Sequence, residues 1–139
     1  MELKIYTDGG SRGNPGIAGG GVVVENQGEI IFEKSVFFGQ KTNNEAEYLA
    51  FLTALEWLVD FSAKNQISKV DFFLDSKLVV EQINKNWKIK EDRLKKLVNE
   101  AWTKLVTLPY PIKITHVLRN KNAVADALAN QAMDSYSEV

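Results

Sequence analysis

A carboxylate on the apolar side of a helix needs a reason to be there, and Glu47 is such a residue. Projecting Thr42 to Phe61 at about 100° per residue puts Glu45, Glu56 and Asp60 on one polar arc and Glu47 opposite them, among Phe51, Ala54 and Leu58. A charge on that stripe is costly unless it is paired or coordinated, although a first-turn Glu can also be stabilised by the helix dipole. Asp8 and Asp75 each close a predicted strand. Open α/β sheets build their sites at the C-terminal ends of strands, and tips on neighbouring strands lie about 4.8 Å apart, close enough to share a metal. Both also have plain local uses, Asp8 in starting a turn ahead of glycines and Asp75 in capping a helix with Ser76. Asp126 lies in the first turn of the last helix, between the Val124, Leu128, Ala132 stripe and the Asn130, Asp134 face, and by itself reads as solvated.

Composition narrows the chemistry these acids could do. The 139 residues include no cysteine, which removes disulfides, thiolate nucleophiles and cysteine-bound zinc and fits a cytoplasmic location. One histidine, His116, cannot supply a site with two or three imidazole ligands. Hard cations bound by oxygen remain open, with 18 Asp and Glu to draw on. A net charge of −1 argues against a wholly basic surface for nucleic acid, leaving a local patch from Lys85 to Lys104, where cations outnumber Glu91, Asp92 and Glu100. On charge alone that stretch reads as a solvated helix face with pairs such as Glu91 and Lys95. No apolar run approaches a membrane span, and MELKIYTDGG has no basic region followed by an apolar core, so neither a membrane partner nor export is expected.

The elements that must position the acids follow from patterning. Leu3 to Asp8 alternates as a strand and runs into Gly9 to Gly16, which reads as a loop. Gly20 to Glu25 and Gly28 to Phe38, joined at Asn26-Gln27-Gly28, predict an antiparallel hairpin. Thr42-Asn43-Asn44-Glu45 has the form of a capping box for a helix to about Phe61. Val70 to Leu74 is a short strand, Lys77 to Asn84 a short helix behind Asp75-Ser76, Glu91 to Val106 a basic amphipathic helix, and Ile112 to Val117 the last strand. Asn122 is expected to cap a final helix to about Ser135. The order βββαβααβα requires parallel pairing beside an antiparallel meander, hence an α/β mixed sheet. The glycine-rich stretch lacks Walker spacing and leads into a strand, so no small-molecule cofactor is expected there.

Four segments, taken in order, resemble type 1 ribonuclease H, including the retroviral reverse-transcriptase domain and especially the short form of archaea and some bacteria. They are Tyr6-Thr7-Asp8-Gly9-Gly10-Ser11 with Gly13-Asn14-Pro15-Gly16; Thr42-Asn43-Asn44-Glu45-Ala46-Glu47; Asp75-Ser76; and Arg119 and Asn122 leading to Ala125-Asp126-Ala127-Leu128-Ala129. The match spans nearly the whole chain, taken as a single catalytic domain over 1–139 with a frayed tail from about 136 to 139. It implies a ribonuclease H-like fold, a five-stranded mixed sheet of order 3-2-1-4-5 with helices packed on both faces. It also implies that Asp8, Glu47, Asp75 and Asp126 are the catalytic, metal-binding carboxylates of an endonuclease. Such an enzyme cuts the RNA strand of an RNA/DNA hybrid, leaving 5′-phosphate and 3′-hydroxyl ends, with Mg²⁺ or, less typically, Mn²⁺. Two such ions roughly 3.5 to 4 Å apart can activate a water on one side of the phosphate and neutralise the leaving oxygen on the other. By the resemblance Asp8 bridges both, Glu47 and Asp75 favour the water-activating ion, and Asp126 the other.

The same resemblance assigns groove-reading contacts to Asn43, Asn44 and the backbone near Gly10, Ser11 and Arg12, and a DNA-strand phosphate contact to Thr42. The longer enzymes carry a basic, tryptophan-rich protrusion where this chain has only Asn86-Trp87-Lys88-Ile89-Lys90, leaving Trp87, Lys88 and Lys90 as contacts; no separate hybrid-binding domain is expected before Met1. Val117-Leu118-Arg119 replaces a loop that often carries a mobile histidine, so Arg119 is the candidate for the product-release or phosphate-contact role and His116 the alternative. A monomer is expected. The competing readings are a noncatalytic hybrid-binding module and another nuclease of the same superfamily, such as a junction resolvase or integrase-like core.

Overall fold

The computed structural model describes residues 1–136, and within them the element order is the predicted one. Strands β1 (Glu2–Gly13), β2 (Gly16–Asn26) and β3 (Glu29–Lys41) form an antiparallel meander; β4 (Lys69–Leu74) and β5 (Ile112–His116) add parallel to the other side of β1, giving the order β3-β2-β1-β4-β5. Helices α1 (Asn43–Ser62), α2 (Lys77–Ile83), α3 (Asp92–Leu105) and α4 (Ala123–Asp134) connect or follow the later strands. The β2–β3 turn places Gln27 and Gly28 at φ of 53° and 81°, the two successive left-handed residues of a hairpin loop whose twist matches its strands. Of the stretch expected to fray, 137–139 lies outside the described residues, and Tyr136 stacks on Phe37 with ring centroids 5.5 Å apart.

The glycine-rich stretch departs from expectation. Gly9 to Gly16 is not a loop: β1 continues to Gly13, β2 begins at Gly16, and only Asn14 and Pro15 remain as the turn. Helix packing demands a glycine at position 9 of this stretch and at position 21 of β2. A Cβ on Gly9 would be driven into the carbonyl of Ala46 on α1, and one on Gly21 into the carbonyl of Ala125 on α4. Asp8 therefore sits in mid-strand opposite Gly21, not at a strand tip. The tip belongs to β4, whose pairing with β1 stops at Thr7 and Leu74.

Because side chains alternate along a strand, the glycines of β2 also show how the layers lie. Gly20 faces Ala50 of α1, whereas Gly19 and Gly21 face Ala132, Ala125 and Leu128 of α4, so the helices pack on both faces. The α1 face holds the main core, in which Leu3, Ile5, Val22 and Phe72 from the sheet meet Phe51, Leu55 and Leu58. Phe51 and Phe72 cross at 59° with centroids 4.9 Å apart, a tilted aromatic pair in which each ring contributes about 2 to 3 kcal/mol by burial. Leu94, Val98 and Ala101, spaced by four and three, bury one stripe of α3 in the same core and leave Lys95, Lys96 and Glu100 in solvent.

The helix starts decide where the acids point. Thr42 accepts from the Glu45 N–H, and the Glu45 carboxylate accepts from the Thr42 N–H, completing the expected capping box. Ser76 caps α2 by accepting from the Val79 N–H. Asn122 does not cap α4 through its side chain, contrary to expectation, because that side chain turns back into the sheet. The last strand ends one residue early, at His116, with the Val117 N–H bonded to the Leu74 carbonyl.

Candidate active site

Where β4 stops pairing, β1 runs on, and side chains take up its backbone groups in place of a strand. The Gly9 N–H donates to Glu47 Oε1 at 3.0 Å, and Asn122 Nδ2 donates to the Thr7 carbonyl at 2.9 Å. Glu47 thus turns inward from the second turn of α1 because a backbone donor waits there, which displaces the helix-dipole explanation of its position. Asp75 follows Leu74 directly, and since Ser76 provides the cap, its carboxylate is released from that duty. The three elements converge so that one oxygen each from Asp8, Glu47 and Asp75 lie within 4.8 Å of one another.

Charge is the dominant fact about this cluster. Asp8 is 6% and Glu47 4% exposed, and Glu47 Oε2 and Asp75 Oδ2 are buried without a hydrogen-bond partner. Burial first, then the charges of Glu47 and Asp75 and contact with the Glu47 and Asp126 carboxyls, push Asp8 far above the usual carboxylate range. Glu47 is also raised, chiefly by burial with a contribution from Asp75, while contacts with Asp8, the Gly9 N–H and the Arg119 charge pull the other way. Left without a cation, such a group of acids retains a proton at neutral pH. Carboxylate oxygens converging from three elements, with one on Glu47 and one on Asp75 unpartnered, fit a hard divalent cation, which satisfies the lone pairs and removes the repulsion together.

Asp126 approaches from the opposite face. It sits in the first turn of α4, half-buried, and lines the same cleft as Asp8, Gly10, Ser11, Asn43 and Arg119. Gly21, opposite Asp8 in the register, lets the start of α4 rest directly on β2 and so brings Asp126 beside Asp8. Asp126 stands outside the closest group, which consists of Asp8, Glu47 and Asp75 among the described residues.

The other predicted residues divide into those at the cleft and those away from it. Asn43 Oδ1 accepts the Ser11 N–H at 3.1 Å and its own N–H donates to Asn14 Oδ1 at 3.0 Å, fastening the β1–β2 end to the start of α1. Arg12 lines the cleft and pairs with Asp134. Thr42 is occupied with capping, and Asn44 is half-buried beside it, neither lining the cleft. Arg119 opens the turn between β5 and α4 at the cleft mouth, whereas His116 ends β5 and does not line the cleft. Trp87, Lys88 and Lys90 are exposed on the α2–α3 connection and do not line this cleft. Sequence reasoning missed the positioning parts, Gly9, Gly21 and Asn122. The signal was present in Gly19-Gly20-Gly21, an odd run inside a β-branched strand.

Comparison with known proteins places this arrangement among relatives. The family model described as reverse transcriptase-like matches residues 6–132. The bifunctional protein Rv2228c of Mycobacterium tuberculosis is 39% identical over 140 residues, covering 99% of this chain; the chain spans only 37% of that protein's length. A ribonuclease H of Ruthia magnifica is 39% identical over 149 residues, with 98% of both chains covered. Among solved structures, LC11-RNase H1 in complex with an RNA/DNA hybrid superposes with a TM-score of 0.90 at 41% identity, covering 95% of this chain and 96% of that one.

Proposed function

Since the chain belongs to the type 1 ribonuclease H family, we propose that it hydrolyses the RNA strand of RNA/DNA hybrids with divalent metal, Mg²⁺ in the first place and Mn²⁺ as a substitute. The observation that carries the reading is the convergence of Asp8, Glu47 and Asp75 oxygens within 4.8 Å, with buried oxygens left unpartnered on Glu47 and Asp75. Asp126 completes the ligand set from α4. Metal held there would supply an activated water and neutralise charge on the leaving 3′-oxygen.

The chain's own groups set the geometry of the step. The Gly9 N–H fixes one Glu47 oxygen so that the other faces the cluster, and Ser76 leaves Asp75 free to do the same. Asn122 holds the β1 backbone beside Asp8 through the Thr7 carbonyl. Arg119, exposed at the mouth, would meet a phosphate, and Gly10, Ser11, Arg12 and Asn43, which line the cleft, the hybrid's minor groove, where a 2′-hydroxyl distinguishes RNA. Thr42 would bear on a phosphate of the DNA strand, and the Trp87, Lys88, Lys90 connection on the hybrid beyond the cleft.

A labelled hybrid incubated with the protein and Mg²⁺ should lose its RNA strand to products with 5′-phosphate ends while a DNA duplex survives. Asp8→Asn should abolish cleavage with the circular dichroism spectrum unchanged. Equal activity of that variant would overturn the assignment.

A further inference from the structure

The α2–α3 connection is short, but it is fastened at many points. The Asn86 and Trp87 N–H groups both donate to the Glu81 carbonyl, at 2.8 and 3.2 Å, and Lys85 turns the chain in the left-handed region at φ 66°. Lys77 Nζ stands 6.0 Å from the centre of the Trp87 ring. Beneath this runs a buried polar chain. Tyr48, fully buried in α1, donates its hydroxyl to Gln82 Oε1 at 2.7 Å, and Gln82, 3% exposed in α2, donates Nε2 to the Lys88 carbonyl at 3.2 Å.

The direction of that chain is fixed by chemistry. The Lys88 carbonyl can only accept, so the Gln82 amide nitrogen must face it; the amide oxygen then faces Tyr48, whose hydroxyl must donate. Swapping either partner for an apolar group strands a buried polar atom, so the arrangement has one satisfied state. A core glutamine spent on a loop carbonyl is otherwise unexplained, because apolar residues at both 48 and 82 would fill the same space without burying a hydroxyl and an amide.

We infer that Gln82, oriented by Tyr48, is a positioning residue for substrate binding: it pins the backbone at Lys88 so that Trp87, Lys88 and Lys90 present a fixed cationic and aromatic platform to the hybrid. The inference rests on the proposed function and on this connection touching the substrate. It adds that affinity depends on a buried amide that touches no nucleic acid. Pinning matters because a lysine on a free loop loses more conformational freedom on binding than one on a fixed backbone.

The test is a cycle of variants read by hybrid cleavage. Gln82→Met, of similar length but unable to form either bond, should raise KM for the hybrid about three- to tenfold with kcat within twofold, and should flatten the dependence of log KM on log salt, as loss of a phosphate contact does. In a Trp87→Ala, Lys88→Ala, Lys90→Ala background the same substitution should leave KM unchanged, since the platform is already gone. Tyr48→Phe, which removes only the orienting hydroxyl, should shift KM in the same direction by less and serves if Gln82→Met does not fold. An equal KM increase in both backgrounds, or a loss of thermal stability with no KM change, overturns the inference while leaving hybrid cleavage intact. A triple variant with the KM of wild type overturns it at its root, because the platform then makes no contact.

Discussion

Asp8→Asn should make the protein more stable as it makes it inactive. Asp8 is buried against two other carboxylates, and its folded-state pKa is raised far above the ordinary value of about 3.8. For an acid raised in this way, the folded state binds a proton that the unfolded state releases, so stability falls as pH climbs from the unfolded pKa towards the folded one. At 1.36 kcal/mol per pH unit the cost at pH 7 has a ceiling of about 4 kcal/mol. Relaxation around the cleft lowers that, and about 1 to 3 kcal/mol is expected. Asparagine keeps the shape and can donate to Glu47, as protonated Asp8 does, without carrying charge. In thermal melts without divalent metal, the variant should exceed wild type by several degrees at pH 7, by less at pH 5, and by nothing near pH 4. Added Mg²⁺ should narrow the gap by stabilising wild type, by about 1.4 kcal/mol at ten times its dissociation constant, and leave the variant almost unmoved. Identical melting of the two proteins at pH 7 without metal, or a less stable variant, would refute the account of Asp8 as a strained acid.

Protons and metal compete for the same oxygens, so the Mg²⁺ concentration giving half-maximal cleavage should rise as pH is lowered from 8 to 6, in line with the raised Asp8 and Glu47; a constant value would contradict them. Gly21→Ala should cost about 1 to 3 kcal/mol in urea unfolding and reduce cleavage, because the new methyl meets a backbone carbonyl of α4 and must lift Asp126 from Asp8; wild-type stability would show that α4 is not seated there. Asn122→Ala should destabilise by about 1 to 3 kcal/mol, leaving the Thr7 carbonyl unsatisfied, and lower activity at saturating Mg²⁺, whereas a loss limited to helix capping would spare activity.

Local rules made the elements legible and left the site half read. The capping box at Thr42 and Glu45 formed as written because it uses only neighbours three residues apart. Helical projection placed Glu47 inward for the same reason. What it could not show was the partner, since the Gly9 N–H comes from another element 38 residues away and is free only because β4 ends at Leu74. The glycines exposed the same limit from the other side. Read locally, Gly9 to Gly16 signals a loop; in the folded sheet all of it but Asn14 and Pro15 is strand, and Gly9 is small because α1 presses on it. Asn122 likewise had an ordinary local reading, a side-chain helix cap, that the fold sets aside: it stands at the N-cap position but spends its amide on the Thr7 carbonyl. Asp126 was the extreme case. Nothing in its own helix distinguishes it, and its place beside Asp8 depends on Gly21, a residue lacking any side chain to read. A site assembled at the end of one strand's pairing is therefore specified largely by what is missing around it: a strand that stops, and side chains reduced to hydrogen where helices must come close. Such absences carry meaning only once the register is known.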